Sequence, residues 1–328
     1  MVRIGINGFG RIGRIAMRIA EQRSDVEVVA INSRSAAESH ALLAQYDSTY
    51  GIWNADVKVH EDHLHINGRK VHVFQYDAPS DIPWDQAGVD IVIESTGVFT
   101  TKEKCLPHIK GSVKRVVISA PGKEIDGTFV MGVNEHLFDP SQHTVISNAS
   151  CTTNCLAPVA KVLDEVFGIE KGLMTTIHAF TNDQNILDNS HKKDMRRART
   201  AGSSIIPTST GAAEAVALVL PQLKGKLTGL ALRVPTETVS MVDLTFQSKK
   251  STTREEVNAA FQKAANTYLG VSSLPLVSVD FKANTHSAIV DTEYTQVMDG
   301  NLIKVLAWYD NEWGYAERLI DLVEFVSR

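Results

Sequence analysis

One cysteine, one histidine and a cluster of arginines in this sequence have the types and spacing for nucleophilic chemistry beside an anion site. The cysteine is Cys151, inside the polar run Ser147-Asn148-Ala149-Ser150-Cys151-Thr152-Thr153-Asn154-Cys155. Leu156, Val159, Val162, Leu163 and Val166 follow at helical spacing, so Cys151 is expected at a loop–helix junction. The N-terminal end of a helix carries unpaired N–H groups and partial positive charge, which lower a thiol pKa and favour the nucleophilic thiolate. Thr152 and Thr153 add hydroxyls suited to an oxyanion or a phosphate. A lone cysteine is more often an inert core residue, and on these grounds alone both readings stand. Pro158 is expected to kink or restart the helix.

A thiol needs a base. A strand over Gly172–Ile177 delivers His178, followed by Ala179-Phe180-Thr181. Histidine titrates near neutrality and can take a thiol proton, although single histidines are commonly structural. Lys192, Lys193, Arg196, Arg197 and Arg199 come next, then Pro207-Thr208-Ser209-Thr210-Gly211. Such a run is either a solvated basic face or an anion site in which arginine and Thr/Gly-rich backbone hold phosphates.

The elements that position these residues fall into two groups. Val2, Ile4 and Ile6 alternate as in a strand, the motif Gly8-x-Gly10-x-x-Gly13 interrupts, and Ile12, Ile15, Ala16 and Ile19 recur at helical spacing. Val26–Asn32 is a second strand, completing a β-α-β unit. In that context the glycines predict a tight turn at Gly8, close approach of a pyrophosphate at Gly10 and helix–strand contact at Gly13, with backbone N–H groups near Arg11 and Ile12 directed at phosphates. Short apolar strands over residues 89–94, 116–120 and 144–147 extend a doubly wound α/β domain to about residue 150. The second half alternates apolar and polar residues, as at Val242, Leu244 and Phe246. It also predicts strands at 287–291 and 302–309 and a helix from Arg254 to about Leu269 capped by Thr253 and Glu256. The fold class read here is α/β plus α+β: a dinucleotide-binding domain over 1–150, an antiparallel-sheet catalytic domain over 151–312, and a closing helix at about 313–328 returning to the first.

Composition narrows the function. A chain of 328 residues suggests two domains. Its formal charge of −5 argues against nucleic acid as main partner. Cys105, Cys151 and Cys155 are too few for a disulfide framework and are read as thiols. No apolar run reaches a membrane span, and the first residues show no leader pattern, so a cytoplasmic location is expected. No metal site is expected.

The whole sequence resembles the phosphorylating glyceraldehyde-3-phosphate dehydrogenase family, through INGFGRIGR at Ile6–Arg14, SNASCTTNC at Ser147–Cys155, PTSTGAA at Pro207–Ala213 and WYDNEWGY at Trp308–Tyr315. That resemblance implies a Rossmann domain and a homotetramer that oxidises glyceraldehyde 3-phosphate with a nicotinamide dinucleotide and inorganic phosphate. It implies Cys151 as nucleophile and His178 as base. Thr181 and Arg233 match the site for the substrate phosphate; Ser150, Thr152, Arg199, Thr210 and Gly211 match the site for the attacking phosphate. Gly8, Gly10, Arg11, Ile12, Gly13, Asn32, Ser95, Thr96, Gly97 and Ser119 match dinucleotide positions, with Asn311 and Tyr315 at the nicotinamide. The loop of residues ~179–202 would lie at a subunit interface beside the cofactor.

The departures concern the cofactor. The second strand ends Asn32-Ser33-Arg34, with no carboxylate to repel a 2′-phosphate and an arginine to bind one. NAD-type family members carry aspartate at the Ser33 position, often a Leu-Pro pair at Asn189-Ser190, and an adenine-contacting arginine where Tyr76 stands. The expectation is therefore NADP preference or use of both NADP and NAD, in glycolysis or gluconeogenesis. Two rivals remain: the related erythrose-4-phosphate dehydrogenases, which PLVSVDF at Pro275–Phe281 and HSAIVD at His286–Asp291 resemble, and a non-catalytic dinucleotide-binding redox sensor using Cys151.

Overall fold

The computed structural model describes residues 1–192 and 194–328; Lys193 of the basic run lies outside the described residues. The chain divides into two compact units, Met1–Ser150 with Ala316–Arg328, and Cys151–Tyr315.

In the first unit the chain runs β1 (Val2–Asn7), α1 (Arg11–Ala20), β2 (Val26–Asn32), α2 (Ala37–Gln45), a ribbon of β3 (Tyr46–Asp47) and β4 (Gly51–Ile52), then β5 (Val57–His60), β6 (His63–Ile66), β7 (Arg69–Phe74), β8 (Ile91–Glu94), α3 (Lys102–Cys105), β9 (Arg115–Ile118), β10 (Gly127–Thr128) and β11 (Val145–Ser147). Nine strands form one sheet in the order β10-β11-β9-β8-β1-β2-β7-β6-β5. From β10 through β7 every pairing is parallel, and β6 and β5 add an antiparallel edge. This is the doubly wound Rossmann arrangement. Strand order reverses beside β1, so the carboxyl ends of β1, β2 and β8 open a crevice where such sheets bind ligands. The buried strands are short and densely apolar: Ile91, Val92 and Ile93 of β8 are at most 2% exposed. Val29, Ala30, Trp84, Val92, Cys105 and Val116 belong to one core cluster, which makes Cys105 a buried apolar filler.

The second unit contains α4 (Cys151–Phe167), β12 (Ile169–Ala179), β13 (Ile206–Ser209), α5 (Ala212–Val219), β14 (Leu227–Val234), β15 (Ser240–Ser248), α6 (Arg254–Ala264), β16 (Leu269–Ser272), β17 (Ala288–Met298) and β18 (Leu302–Tyr309). Helix α7 (Trp313–Ser327) starts here and ends in the first unit. The sheet order is β13-β14-β12-β15-β18-β17-β16, antiparallel except for β12 with β14 and β16 with β17. Helices α4, α5 and α6 contact one another through α4 and pack on these strands.

Two local expectations fail for identifiable reasons. Helix α4 continues through Pro158 rather than restarting there. Its flanking Leu156, Ala157, Val159 and Ala160 are fully buried, and that packing offsets the ~3 kcal/mol that an internal proline costs. Helix α6 has its capping box at Thr253 and Glu256 but stops at Ala264, short of Leu269. The Asn266 side chain accepts the N–H groups of Tyr268 (2.7 Å) and Leu269 (3.0 Å), closing a turn that sends Leu269 into β16 opposite Ala288.

Candidate active site

Cys151 is the first residue of α4. Ahead of it the chain turns sharply at Ala149, whose φ of +55° is a left-handed conformation costing an alanine roughly 1–2 kcal/mol. Ser147 Oγ holds the turn, accepting from the Ala149 N–H at 2.9 Å and donating to the Ala120 carbonyl at 2.6 Å. The Cys151 Sγ then stands 3.5 Å from Nε2 of His178, next to last in β12.

The parallel register of β12 and β14 pairs His178 with Arg233. Arg233 Nη1 lies 2.5 Å from His178 Nδ1 and 3.1 Å from the Ala179 carbonyl, which is itself 2.7 Å from Nδ1. The two contacts at Nδ1 demand opposite proton positions. Arg233 only donates, so it bonds the tautomer protonated at Nε2; the Ala179 carbonyl only accepts, so it bonds the one protonated at Nδ1. Only the second leaves an Nε2 lone pair facing the sulfur.

Burial, then the Arg233 charge, push the His178 imidazole down to about 3. Burial also raises the Cys151 thiol, against the opposing pull of Arg233 and Thr152. The expected lowering by the helix end is therefore outweighed by desolvation, even though the cysteine keeps partial exposure. Both shifts favour the uncharged forms of the pair.

The residues expected at the anion sites, besides Ser150 and Thr152 flanking Cys151, lie on the loop after β12, on β14 and between β13 and α5. The Thr181 hydroxyl donates to Asp183 at 2.5 Å, and Arg197 Nη1 bonds the same carboxylate at 2.5 Å. Burial works against ionisation of Asp183, but Thr181, Arg197 and Arg233 outweigh it and hold the carboxyl below its usual range. Arg197 also donates to Thr208 Oγ1 at 3.0 Å. Arg199, the arginine matched to this region from sequence, instead pairs with Asp188 at 2.8 Å and is exposed. The correction is one of register: the loop turns Arg197 inward and Arg199 outward. Thr210 Oγ1 accepts the Ala212 N–H at 3.2 Å, and Gly211 is the N-cap of α5. Asn189 and Ser190 sit on the same loop as Arg199, where the Asn185 side chain binds the Asn189 carbonyl at 2.8 Å.

Two positioning residues escaped the sequence reading. The buried Tyr309 hydroxyl lies 2.8 Å from Thr152 Oγ1 and 2.9 Å from Thr176 Oγ1, tying the first turn of α4 to β12. Ser240 Oγ accepts the Ala179 N–H at 3.1 Å and donates to Asn311 Oδ1 at 2.9 Å, which leaves the Nδ2 end of that amide as donor. Val239, just before it, has φ of +68°, a real outlier for a β-branched residue. Tyr315 is buried in the first turn of α7.

The first unit carries the glycine crevice. Gly8 has φ of +94°, and a Cβ there would meet Thr96 N at 2.6 Å; one on Gly13 would meet the Gly8 carbonyl at 2.4 Å. Gly10 has nothing within 4 Å of that position, the open space a pyrophosphate needs. Beside it is a cavity of about 400 Å³ whose lining includes Gly10, Asn32, Ser33, Arg34, Ser95 and Thr96. Ser95 Oγ donates to the Gly8 carbonyl at 2.6 Å, and Gly97 has φ of +71°. Ser119 N donates to the Glu94 carbonyl at 2.9 Å. Ile12 lies in α1, as does Arg11, whose guanidinium is tied to Asp47 and stacks on Tyr50. Arg34, expected as a free phosphate ligand, pairs with Asp77 at 3.0 Å, so a carboxylate does stand at this end of the crevice.

Below the crevice lies a buried polar chain that no motif announced. Glu94 accepts from Asn7 Nδ2 (2.5 Å), Thr96 N (2.9 Å) and the Thr96 hydroxyl. Trp84 Nε1 donates to His108 Nδ1 at 3.1 Å, which places the His108 proton on Nε2, 3.2 Å from Glu94. Asn32 Nδ2 donates to Asn7 Oδ1 at 2.8 Å, and Asn32 pairs with the backbone of Tyr76. One network thus joins three rims of the crevice.

Among the described residues no group of three or more His, Cys, Asp or Glu is placed to hold a metal ion, and no helix is long and apolar enough to cross a membrane. Family profiles match two stretches: residues 2–102 match the glyceraldehyde 3-phosphate dehydrogenase NAD binding domain, and residues 150–311 match the C-terminal domain of the same family. The chain is 54% identical over 330 residues to glyceraldehyde-3-phosphate dehydrogenase 2 of Bacillus subtilis, covering 99% of this chain and 97% of that protein. It is 54% identical over 331 residues to glyceraldehyde-3-phosphate dehydrogenase 1 of Bacillus cereus, covering 100% and 99%. The Geobacillus stearothermophilus glyceraldehyde-3-phosphate dehydrogenase is 53% identical over 330 residues, covering 99% and 98%.

Proposed function

This chain belongs to the glyceraldehyde-3-phosphate dehydrogenase family, and we propose that it oxidises glyceraldehyde 3-phosphate with NAD(P) and inorganic phosphate to 1,3-bisphosphoglycerate through a thioester on Cys151. The observation that carries this reading is the 3.5 Å approach of Cys151 Sγ to His178 Nε2.

His178 takes the thiol proton through Nε2 as sulfur attacks the aldehyde carbon, giving a hemithioacetal. The imidazolium and the N–H groups of the first turn of α4 stabilise its oxyanion. The bound dinucleotide supplies the hydride acceptor. The imidazolium returns its proton to the hemithioacetal oxygen, His178 takes the hydroxyl proton back as the thioester forms, and phosphate then displaces the Cys151 thiolate, which recovers the proton from His178, to give the acyl phosphate. Thr181 and Arg233 hold the substrate phosphate. Thr210, Gly211, Ser150 and Thr152 take the attacking phosphate, with Arg197 in place of Arg199 as their cation. Asn311 anchors the carboxamide, with Tyr315 beside it.

For the cofactor we propose NADP preference or acceptance of both dinucleotides, supported by Ser33 directly after β2. The assembly proposed is a cytoplasmic homotetramer, consistent with the exposure of Ile186, Leu187 and Met195 on the loop after β12. Initial rates with NAD and NADP, with and without phosphate, test the whole reading. Turnover should need phosphate and vanish in Cys151→Ser while dinucleotide binding persists. Retained turnover in that variant would sink the mechanism. A tenfold or greater advantage of NAD in kcat/KM would sink the cofactor assignment alone.

A further inference from the structure

His40 is the fourth residue of α2 and only 3% exposed, yet its ring lines the crevice beside Ser33, Arg34, Ser35 and Arg14. Neither ring nitrogen makes a hydrogen bond of good geometry, and the one polar group interacting with the ring is the Ser35 backbone. The ring is fixed edge-on against Phe9, at 5.4 Å and 89°, between the first two glycines of the motif. An unsatisfied buried polar group costs on the order of 1–3 kcal/mol, so a ring held this way at the wall of a cleft calls for a functional explanation. Two arginines also line this end: Arg14 gives Nη1 to the Phe9 carbonyl at 2.9 Å, and Arg34 offers little selectivity. Arg34 already has the Asp77 carboxylate, the pair carries no net charge, and both side chains are more than four-fifths exposed, where ion pairs contribute little.

We propose that His40 is a specificity-determining residue of this crevice: its imidazole donates to the 2′-phosphate of bound NADP(H) and takes up one proton from solvent as that phosphate enters. This rests on the reading that the enzyme accepts NADP. In the free protein, burial and then the charge of Arg14 keep the ring below the ordinary histidine range, with the Ser35 backbone pulling the other way. The charged groups lining the crevice with it are Arg14 from α1, Arg34 after β2 and Asp77 after β7; Glu38, two residues before it on α2, is not among them. A dianionic phosphate reverses the balance, because an adjacent negative charge favours the imidazolium. The ribose hydroxyl of NAD brings no such charge.

The test is the dissociation constant of NADPH and of NADH between pH 6 and 8.5, for the wild-type protein and His40→Gln. The phosphate's own ionisation near pH ~6 strengthens NADPH binding as pH rises and is common to both proteins. Above it, wild-type NADPH affinity should fall with pH, by at most about tenfold per unit for one linked proton. NADH affinity should stay flat. His40→Gln should lose the fall for NADPH and keep wild-type NADH affinity, which also certifies its fold. Calorimetry in two buffers of different ionisation enthalpy should show proton uptake with NADPH in the wild type alone. NADPH binding with the same pH slope in both proteins overturns the role of His40 and leaves the cofactor reading intact. Failure of the wild type to bind NADPH at any pH overturns the cofactor reading and this inference with it.

Discussion

Arg233 lies opposite His178 across the β12–β14 ladder, its Nη1 2.5 Å from the imidazole Nδ1, although 55 residues separate them in the chain. One guanidinium therefore acts on both members of the proposed catalytic pair. It opposes protonation of His178 and favours ionisation of Cys151. Replacing it with leucine should raise the titration of both groups. The rate of Cys151 alkylation by iodoacetamide at pH 8 should drop several-fold, and its pH midpoint should move up. An unchanged alkylation profile would show that the charge is screened.

The same histidine should leave a signature in acid stability. Its folded value of about 3 lies below the ordinary 6.5. The unfolded chain therefore binds the proton first as pH falls. The stability it contributes is complete above pH 6.5 and is lost progressively down to about 3, by at most about 1.4 kcal/mol per pH unit. His178→Asn should flatten that acid limb, measured as urea midpoints between pH 7 and 5, and should lower kcat by about 10²–10⁴.

Arg197 and Arg199 separate cleanly. Arg197→Leu removes the cation held between Asp183 and Thr208 and should raise the KM for inorganic phosphate at least tenfold. Arg199→Leu removes an exposed partner of Asp188 and should change it less than twofold. Steady-state kinetics with varied phosphate decide the matter, and the reverse ranking would restore the sequence-based assignment.

Glu94 presents only acceptors to Asn7, Thr96 and His108. In Glu94→Gln the amide N–H₂ must face one of those donors, at a cost of roughly 1–3 kcal/mol. Because the network reaches Asn32 and Tyr76, the dissociation constant for dinucleotide should rise several-fold while iodoacetamide alkylation of Cys151 stays as in the wild type. Equal losses in both would mean general destabilisation.

Much of this protein is written in local sequence. Period-two and helical spacing placed β1, β2, β18 and the start of α4, because an element's buried face is set by residues a few positions apart. The glycine motif carried its own geometry: no other residue fits where a Cβ on Gly8 or Gly13 would strike backbone. Cys151 and His178 were legible for the same reason, each sitting at the end of a recognisable element.

What sequence left open was decided by register and burial. Whether Arg197 or Arg199 turns inward depends on how one loop closes, and the partner of Arg34 is an aspartate 43 residues away. The Tyr309 brace, the Glu94 network and the buried ring of His40 join residues from different strands and helices, so no spacing could reveal them. The direction of the thiol shift shows the difference most plainly. The helix end that favours ionisation is a local feature readable from residue order, but desolvation is set by everything packed around the sulfur, and only the folded chain determines that.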